Sequence, residues 1–145
     1  MNGIMYVTNF NVDHIASENL HTYIHSVVKE NDYSFRSKIS IEPKASGKTV
    51  VGLIKRYLDL NVVEYQYPRE SGVTSKNSKV ERAKAITHFI ESGKVKLLYG
   101  NWNAHFLDQI AKFPKSENDD MVDCLVMGVL EMLLSPRRAT TMRVN

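Results

Sequence analysis

Apolar residues along this chain follow two spacings, one typical of strands and one typical of helices. Alternating or β-branched apolar residues predict four short strands, at residues 4–11, 37–42, 61–65 and 94–99. Apolar residues three and four positions apart predict four amphipathic helices, at residues 17–29, 46–58, 79–91 and 102–113. Because strands alternate with helices, we expect an α/β fold whose sheet has at least some parallel pairing.

A fifth helix is predicted from the longest apolar run, residues 121–134, with Asn118 as its N-cap. The run is shorter than the ~20 residues that a membrane span requires. It also contains Asp123 and Glu131. We therefore expect a buried helix of a soluble protein and no membrane partner.

Composition narrows the class of protein. With 145 residues, 43% of them hydrophobic and 24% charged, the chain fits one globular domain, which excludes a disordered, collagen-like or repeat protein. A single cysteine, Cys124, excludes a disulfide framework and a cysteine-based zinc site. Residues 1–11 have no secretory signal pattern, so the cytosol is the expected compartment.

Positive charge is concentrated in one part of the chain. Residues 66–96 contain seven basic and three acidic side chains. Such a cluster is what phosphate binding requires, although a solvated helix face is an alternative. The candidates for contact with nucleic acid are Lys76, Lys79, Arg82 and Lys84.

Four carboxylates form the candidate chemical site. Glu42 ends a predicted strand, while Asp119, Asp120 and Asp123 begin the last helix, where spacings of three and four place side chains on one face. Asp123 lies inside the apolar run, where an unpaired carboxylate is costly unless a metal or a basic group neutralises it. Carboxylates from separate elements suit hard cations such as Mg²⁺ or Mn²⁺.

Three other motifs are set aside. Residues 42–49, EPKASGKT, imitate a phosphate-binding P-loop, but Glu42 stands where the first glycine is needed. His21 and His25 share a helical face but lack an obvious third metal ligand. The DDxxD pattern at residues 119–123 belongs to large all-helical isoprenoid synthases, which a short chain with several strands cannot form.

Four segments in one order resemble the C-terminal nuclease domain of the large terminase subunit of tailed bacteriophages. They are ISIEPKASG, KVERAKAITHFIESGKVKLL, FLDQIAKFP and NDDMVDCLVMGVLEML. The resemblance covers residues 4–134 and implies an RNase H-like fold, a mixed sheet flanked by helices. It also implies an endonuclease that cuts concatemeric viral DNA during packaging, in the cytoplasm of the infected bacterial host.

The resemblance implies roles for the four acids. Glu42, Asp119, Asp120 and Asp123 would be catalytic, with Glu42, Asp120 and Asp123 as ligands of two Mg²⁺ or Mn²⁺ ions. One ion activates water and the other stabilises the leaving oxygen, at a separation of ~3.5 to 4 Å. The implied partners are double-stranded DNA, an ATPase motor domain, and a portal or small terminase subunit.

The chain departs from this family at its N-terminus. The family's first catalytic aspartate lies on a strand upstream of the segment that MYVTNF resembles, and Asp13 does not fit that role. We therefore expect residues 1–134 to form an N-terminally incomplete domain, followed by a basic tail at residues 135–145. We expect negligible DNA cleavage by the chain alone. We also expect an open edge at residues 37–42, which either joins a second copy or recruits residues 4–11.

Two alternatives to an active terminase nuclease domain remain open from the sequence. One is a module of the same fold that binds nucleic acid, or assembles with other proteins, without catalysis. The other is another RNase H-like nuclease, such as a junction resolvase.

Overall fold

A computed structural model describes residues 3–42, 45–117 and 119–134, with the backbone alone at residues 45–49. Its strands are β1 (Met5–Val7), β2 (Ile39–Ile41), β3 (Val62–Glu64) and β4 (Val95–Leu97). Its α-helices are α1 (Leu20–Glu30), α2 (Ala45–Tyr57), α3 (Lys79–Lys84), α4 (Thr87–Glu91), α5 (Asn103–Lys112) and α6 (Asp120–Val129). Short 3₁₀ turns occupy Ser17–Asn19 and Arg69–Ser71, and α6 continues as a π-helical segment, Leu130–Leu134.

The structure is a mixed α/β protein whose described sheets are small and parallel. β1 pairs with β4 and β2 pairs with β3, each in parallel register. The predicted parallel pairing is therefore confirmed. Since β1 pairs with β4, the expected recruitment of residues 4–11 by residues 37–42 is not observed. Association of a second copy through β2 stays a prediction.

The predicted helix at residues 79–91 is divided into α3 and α4. At the junction, Ala85 and Ile86 donate to carbonyls only three residues earlier, Arg82 and Ala83, so the helix tightens there. The Ile86 side chain is buried. The Thr87 hydroxyl donates to the Lys84 carbonyl at 2.9 Å and so bonds backbone near the end of α3. Two β-branched residues together also lower helix propensity at this point.

The chain forms two compact units. The first unit comprises Met1–Val7, Tyr67–Leu97 and Leu107–Asn145, and its described part contains the β1–β4 sheet, α3, α4 and α6. Its core is mainly the apolar face of α6, and it includes the buried residues Met121, Val122, Leu125, Val126, Val129 and Leu130. A Cβ atom added to Gly128 would lie 2.9 Å from Met5 Cε, the flexible end of that side chain, so glycine gives the Met5 side chain room against α6.

The second unit comprises Thr8–Gln66 and Leu98–Phe106. It contains α1, the β2–β3 sheet and the crossover helix α2. Ile54 and Val62 are almost completely buried in it, and the rings of Phe10 and Phe106 lie 5.3 Å apart. In this unit, the Asn61 backbone N–H donates to the Tyr33 hydroxyl at 2.7 Å, which ties the loop after α1 to the start of β3.

No helix in the described ranges is both long enough and apolar enough to cross a membrane.

Candidate active site

The first turn of α6 gathers three aspartates within the first unit. Asp119 is the N-cap residue, Asp120 is the first helical residue, and Asp123 follows one turn later. Their side chains are 29%, 89% and 3% exposed, respectively. The helix dipole favours negative charge here, but burial of Asp123 requires a partner close by.

α3 begins next to these acids because a capping box fixes its first turn. The Ser78 hydroxyl accepts a bond from the Glu81 backbone N–H at 3.2 Å, and the Glu81 carboxylate accepts one from the Ser78 N–H at 2.7 Å. These bonds satisfy two N–H groups at the helix start that have no partner within the helix. They also lower the pKa of the Glu81 carboxyl, because the backbone and side chain of Ser78 favour its charged form. The helix thereby starts at Lys79.

Lys79 and Arg82, three residues apart on α3, lie against the aspartates of α6. The Lys79 Nζ is 2.6 Å from Asp119 Oδ1, 2.8 Å from Asp123 Oδ2 and 3.6 Å from Asp120 Oδ1. The Arg82 Nη2 donates to Asp123 Oδ1 at 2.7 Å. Each oxygen of Asp123 therefore contacts a different cation.

This arrangement answers the question that the sequence raised about Asp123. The pattern required either a metal or a basic group near a carboxylate inside an apolar run, and the structure places two basic groups there. Asp119 accepts a bond from Lys79, and no bond from its side chain to the helix backbone is found. The cluster of five side chains has three carboxylates and two cations.

Electrostatics keep Lys79 charged. Desolvation lowers the pKa of its ammonium, but the hydrogen bonds and charges of Asp119 and Asp123 outweigh that effect and raise the pKa above its usual value. Lys79 is therefore positively charged at neutral pH.

The donor chemistry of this cluster suits a hard divalent cation, but its oxygens surround an ammonium. Among residues 3–42, 45–117 and 119–134, no group of three or more His, Cys, Asp or Glu side chains is arranged to hold a metal. The carboxylates of Asp119, Asp120 and Asp123 nevertheless all approach one cationic atom within 3.6 Å. Oxygen ligands of this kind are what Mg²⁺ and Mn²⁺ prefer.

Glu42 directly follows β2 in the second unit and is half-buried. Its position at the end of a strand is as predicted from the sequence. Its joint role with Asp120 and Asp123 in binding metal stays a prediction.

The four basic candidates for DNA contact occupy different environments. Lys76 lies exposed in the loop before α3, and Lys84 is exposed at the end of that helix. Lys79 is only 22% exposed, and Arg82 is buried, with Nη1 donating to the Asn77 carbonyl at 2.7 Å. Arg82 is therefore not on a solvated face, and the geometry supports a structural role for it.

Several sequence motifs fall outside the site or outside the described residues. The ring of His21 stacks on Tyr57 at 5.1 Å, a packing contact. The side chains at residues 43–49 of the P-loop-like segment, the predicted N-cap Asn118 and the basic tail at residues 135–145 lie outside what the structure describes.

Sequence reasoning missed the pairing of α3 with α6. It assigned Lys79 and Arg82 to DNA and the aspartates to metal, as two separate sites. One local signal was available, because S-x-x-E at Ser78 and Glu81 is the signature of a capping box and fixes the helix start. A second signal was the spacing within each group of charges. Lys79 and Arg82 are three residues apart, and Asp119 and Asp123 are four apart, so each pair lies on one face of its helix.

A family model described as a terminase RNase H-like domain matches residues 8–132 of the chain. No curated protein and no solved structure matches the chain.

Proposed function

The chain belongs to the terminase RNase H-like domain family, and on this premise we propose that it is a metal-dependent endonuclease domain of a phage DNA-packaging terminase. Its reaction is hydrolysis of DNA phosphodiester bonds. Its proposed partners are double-stranded DNA, an ATPase motor domain, and a portal or small terminase subunit, in the cytoplasm of the infected bacterial host. The observation that carries the proposal is the convergence of three α6 aspartates within a domain of this family.

The proposed metal ligands are Glu42, Asp120 and Asp123, and Asp119 is a further proposed catalytic acid. A bound Mg²⁺ or Mn²⁺ supplies Lewis acidity for the attacking water and the leaving oxygen. The protein's own contribution is to hold Asp123 in one orientation. Arg82 does this from a buried position, through its bond to Asp123 Oδ1 and its second bond to the Asn77 carbonyl.

Exposed cations near this cluster would position the DNA. Lys76 and Lys84 are free to meet phosphate oxygens at the surface, where contacts fix the position of the backbone and carry no sequence information. We therefore propose binding that tolerates any base sequence.

Mn²⁺ titration followed by backbone NMR tests the shared metal site. We expect signals near residue 42 and signals at residues 119–123 to broaden together, because one paramagnetic ion would lie close to both. Glu42→Gln should weaken the broadening at residues 119–123, whereas Glu64→Gln, a carboxylate removed from another strand of the same unit, should not. Broadening of one group alone would contradict the shared site.

Cleavage is tested with supercoiled plasmid and Mg²⁺ or Mn²⁺. The assay uses the chain alone and the chain with an added N-terminal strand that carries an aspartate, because the resemblance implies one further catalytic aspartate. We expect nicking by the extended form, lost with chelator and in Asp120→Asn. Asp120 is 89% exposed, so this substitution leaves the fold intact.

A second candidate function is binding or assembly without catalysis. The observation in its favour is that Asp119 and Asp123 form ion pairs with Lys79 and Arg82, so these acids have a structural role without a metal. DNA binding by the extended form, without nicking under any metal condition, would support this candidate and contradict the nuclease proposal.

A further inference from the structure

One ammonium occupies the point on which the acidic cluster converges. The Lys79 Nζ lies between 2.6 and 3.6 Å from oxygens of Asp119, Asp120 and Asp123. These oxygens are the ligands that the start of α6 can offer to a divalent ion. A metal that bound these oxygens together would therefore compete with Lys79 for the same place.

The two cations of the cluster are held differently. Arg82 has a side chain only 10% exposed, and its guanidinium bonds both Asp123 and the Asn77 carbonyl. Lys79 is 22% exposed, stands at the first residue of α3, and holds its charge on a flexible four-carbon stem. Lys79 can therefore move its ammonium toward solvent more easily than Arg82 can move its guanidinium.

We propose that Lys79 is an internal counter-ion of the acidic cluster, which must leave its place before a divalent cation binds there. This inference rests on the proposed function. Two cations at one position repel each other strongly at low solvent exposure, so binding of metal and retention of the Lys79 contacts oppose each other. While the metal is absent, Lys79 holds Asp119 and Asp123 in place and prevents like-charge repulsion between them.

A phosphate group of DNA can form an ion pair with the released ammonium. When a phosphate oxygen binds Lys79, the charge on the aspartates becomes available to the metal. DNA and metal then bind with positive coupling, and the coupling must be equal in both directions. Lys79 is thus a positioning residue that links the basic segment to the acids.

The test measures Mn²⁺ affinity from the loss of the free Mn²⁺ resonance in electron paramagnetic resonance spectra, with NMR broadening at residues 119–123 to locate the ion. Lys79→Met removes the competing charge, and Lys115→Met removes an equal charge from an exposed position of the same unit that has no part in the cluster or in the proposed DNA contacts. We expect Lys79→Met to bind Mn²⁺ roughly tenfold more tightly, within the usual range of coupling between sites. Lys115→Met should leave the affinity close to that of the natural chain.

A second arm adds a short duplex with phosphorothioate linkages, which resist hydrolysis. The duplex should raise Mn²⁺ affinity in the natural chain and in Lys115→Met, but much less in Lys79→Met, where there is no ammonium to release. Lys79→Gln serves as a second neutral variant, and thermal unfolding followed by circular dichroism verifies that each variant is folded.

The outcomes separate this inference from the proposed function. Tighter binding by both neutral Lys79 variants, with reduced coupling to DNA, supports the inference. Unchanged or weaker Mn²⁺ binding in these variants overturns it and leaves the proposed function standing. If Mn²⁺ broadens no signal at residues 119–123 in any of the proteins, the proposed function fails and the inference fails with it.

Discussion

Arg82 and Asp123 form a buried ion pair in which Arg82 Nη2 lies 2.7 Å from Asp123 Oδ1 and the two side chains are 10% and 3% exposed. The pair joins α3 to α6, two helices that meet within the first unit. Because both groups are largely removed from water, each depends on the other to compensate for its lost hydration. The pair therefore holds an acid of the candidate site, and loss of either partner would leave a buried charge without compensation.

Removal of Asp123 should destabilise the protein strongly. Asp123→Ala leaves Arg82 buried without its carboxylate partner, which typically costs about 3–5 kcal/mol in unfolding free energy. Asp108→Ala is the matched control, because Asp108 makes an exposed pair with Lys112 at 2.7 Å. Such a pair is worth about 0.3–0.5 kcal/mol. Urea denaturation measures the loss of unfolding free energy in both variants. Equal losses would show that breaking the Arg82–Asp123 pair costs no more than breaking an exposed pair.

Loss of the capping box should weaken the start of α3. Ser78→Ala removes the hydroxyl that accepts the Glu81 N–H, and we expect a loss of about 1 kcal/mol in unfolding free energy. Ser78→Asp keeps an acceptor and should recover most of the stability. Ser75→Ala, in the exposed loop before α3, should change the denaturation midpoint little. A midpoint for Ser78→Ala as high as that of Ser75→Ala would contradict this role of the cap.

Tyr23 should titrate unusually late. Its hydroxyl donates to Asp13 Oδ2 at 2.6 Å, and this hydrogen bond, with burial and the negative charges of Asp13 and Glu30, raises the pKa of Tyr23 from 10.0 to about 12. Because the folded-state pKa is raised, the contribution of this bond to stability is complete below pH 10 and is lost as the pH rises toward 12.

Absorbance at 295 nm measures that titration. The change near pH 12 should be absent in Tyr23→Phe. In Asp13→Asn it should move toward pH 10, because the negative charge is removed although an acceptor oxygen remains. Identical curves for Asp13→Asn and the natural chain would rule out Asp13 as the cause.

The salt dependence of DNA binding should separate exposed from buried cations. Each phosphate contact releases counter-ions, so Lys76→Ala and Lys84→Ala should each reduce the slope of log affinity against log salt by roughly one unit. Arg82→Lys should leave the slope close to its natural value, because the Arg82 guanidinium bonds Asp123 and the Asn77 carbonyl. Fluorescence anisotropy with a labelled duplex at several salt concentrations gives the slopes. Slopes unchanged by both lysine substitutions would assign Lys76 and Lys84 to a solvated surface without DNA contact.

Local patterns in the sequence determined most of the secondary structure. The spacing of apolar residues depends only on neighbours along the chain, so it predicted all four described strands and the positions of the main helices. It also predicted that α6 is buried and that Asp123, inside its apolar run, needs a neutralising partner. The same local information placed Glu42 at the end of a strand.

Only the tertiary structure decided which partner Asp123 has. Lys79 and Arg82 precede it by a long stretch of chain, 41 positions in the case of Arg82, and no periodicity states which faces of two helices meet. The sequence predicted one helix at residues 79–91 and missed its division into α3 and α4 for a similar reason, because burial of Ile86 and the bond from Thr87 to Lys84 depend on packing around the junction. Spacing along a helix determines which side chains share a face. The three-dimensional packing of that face determines whether a lysine contacts solvent or an aspartate.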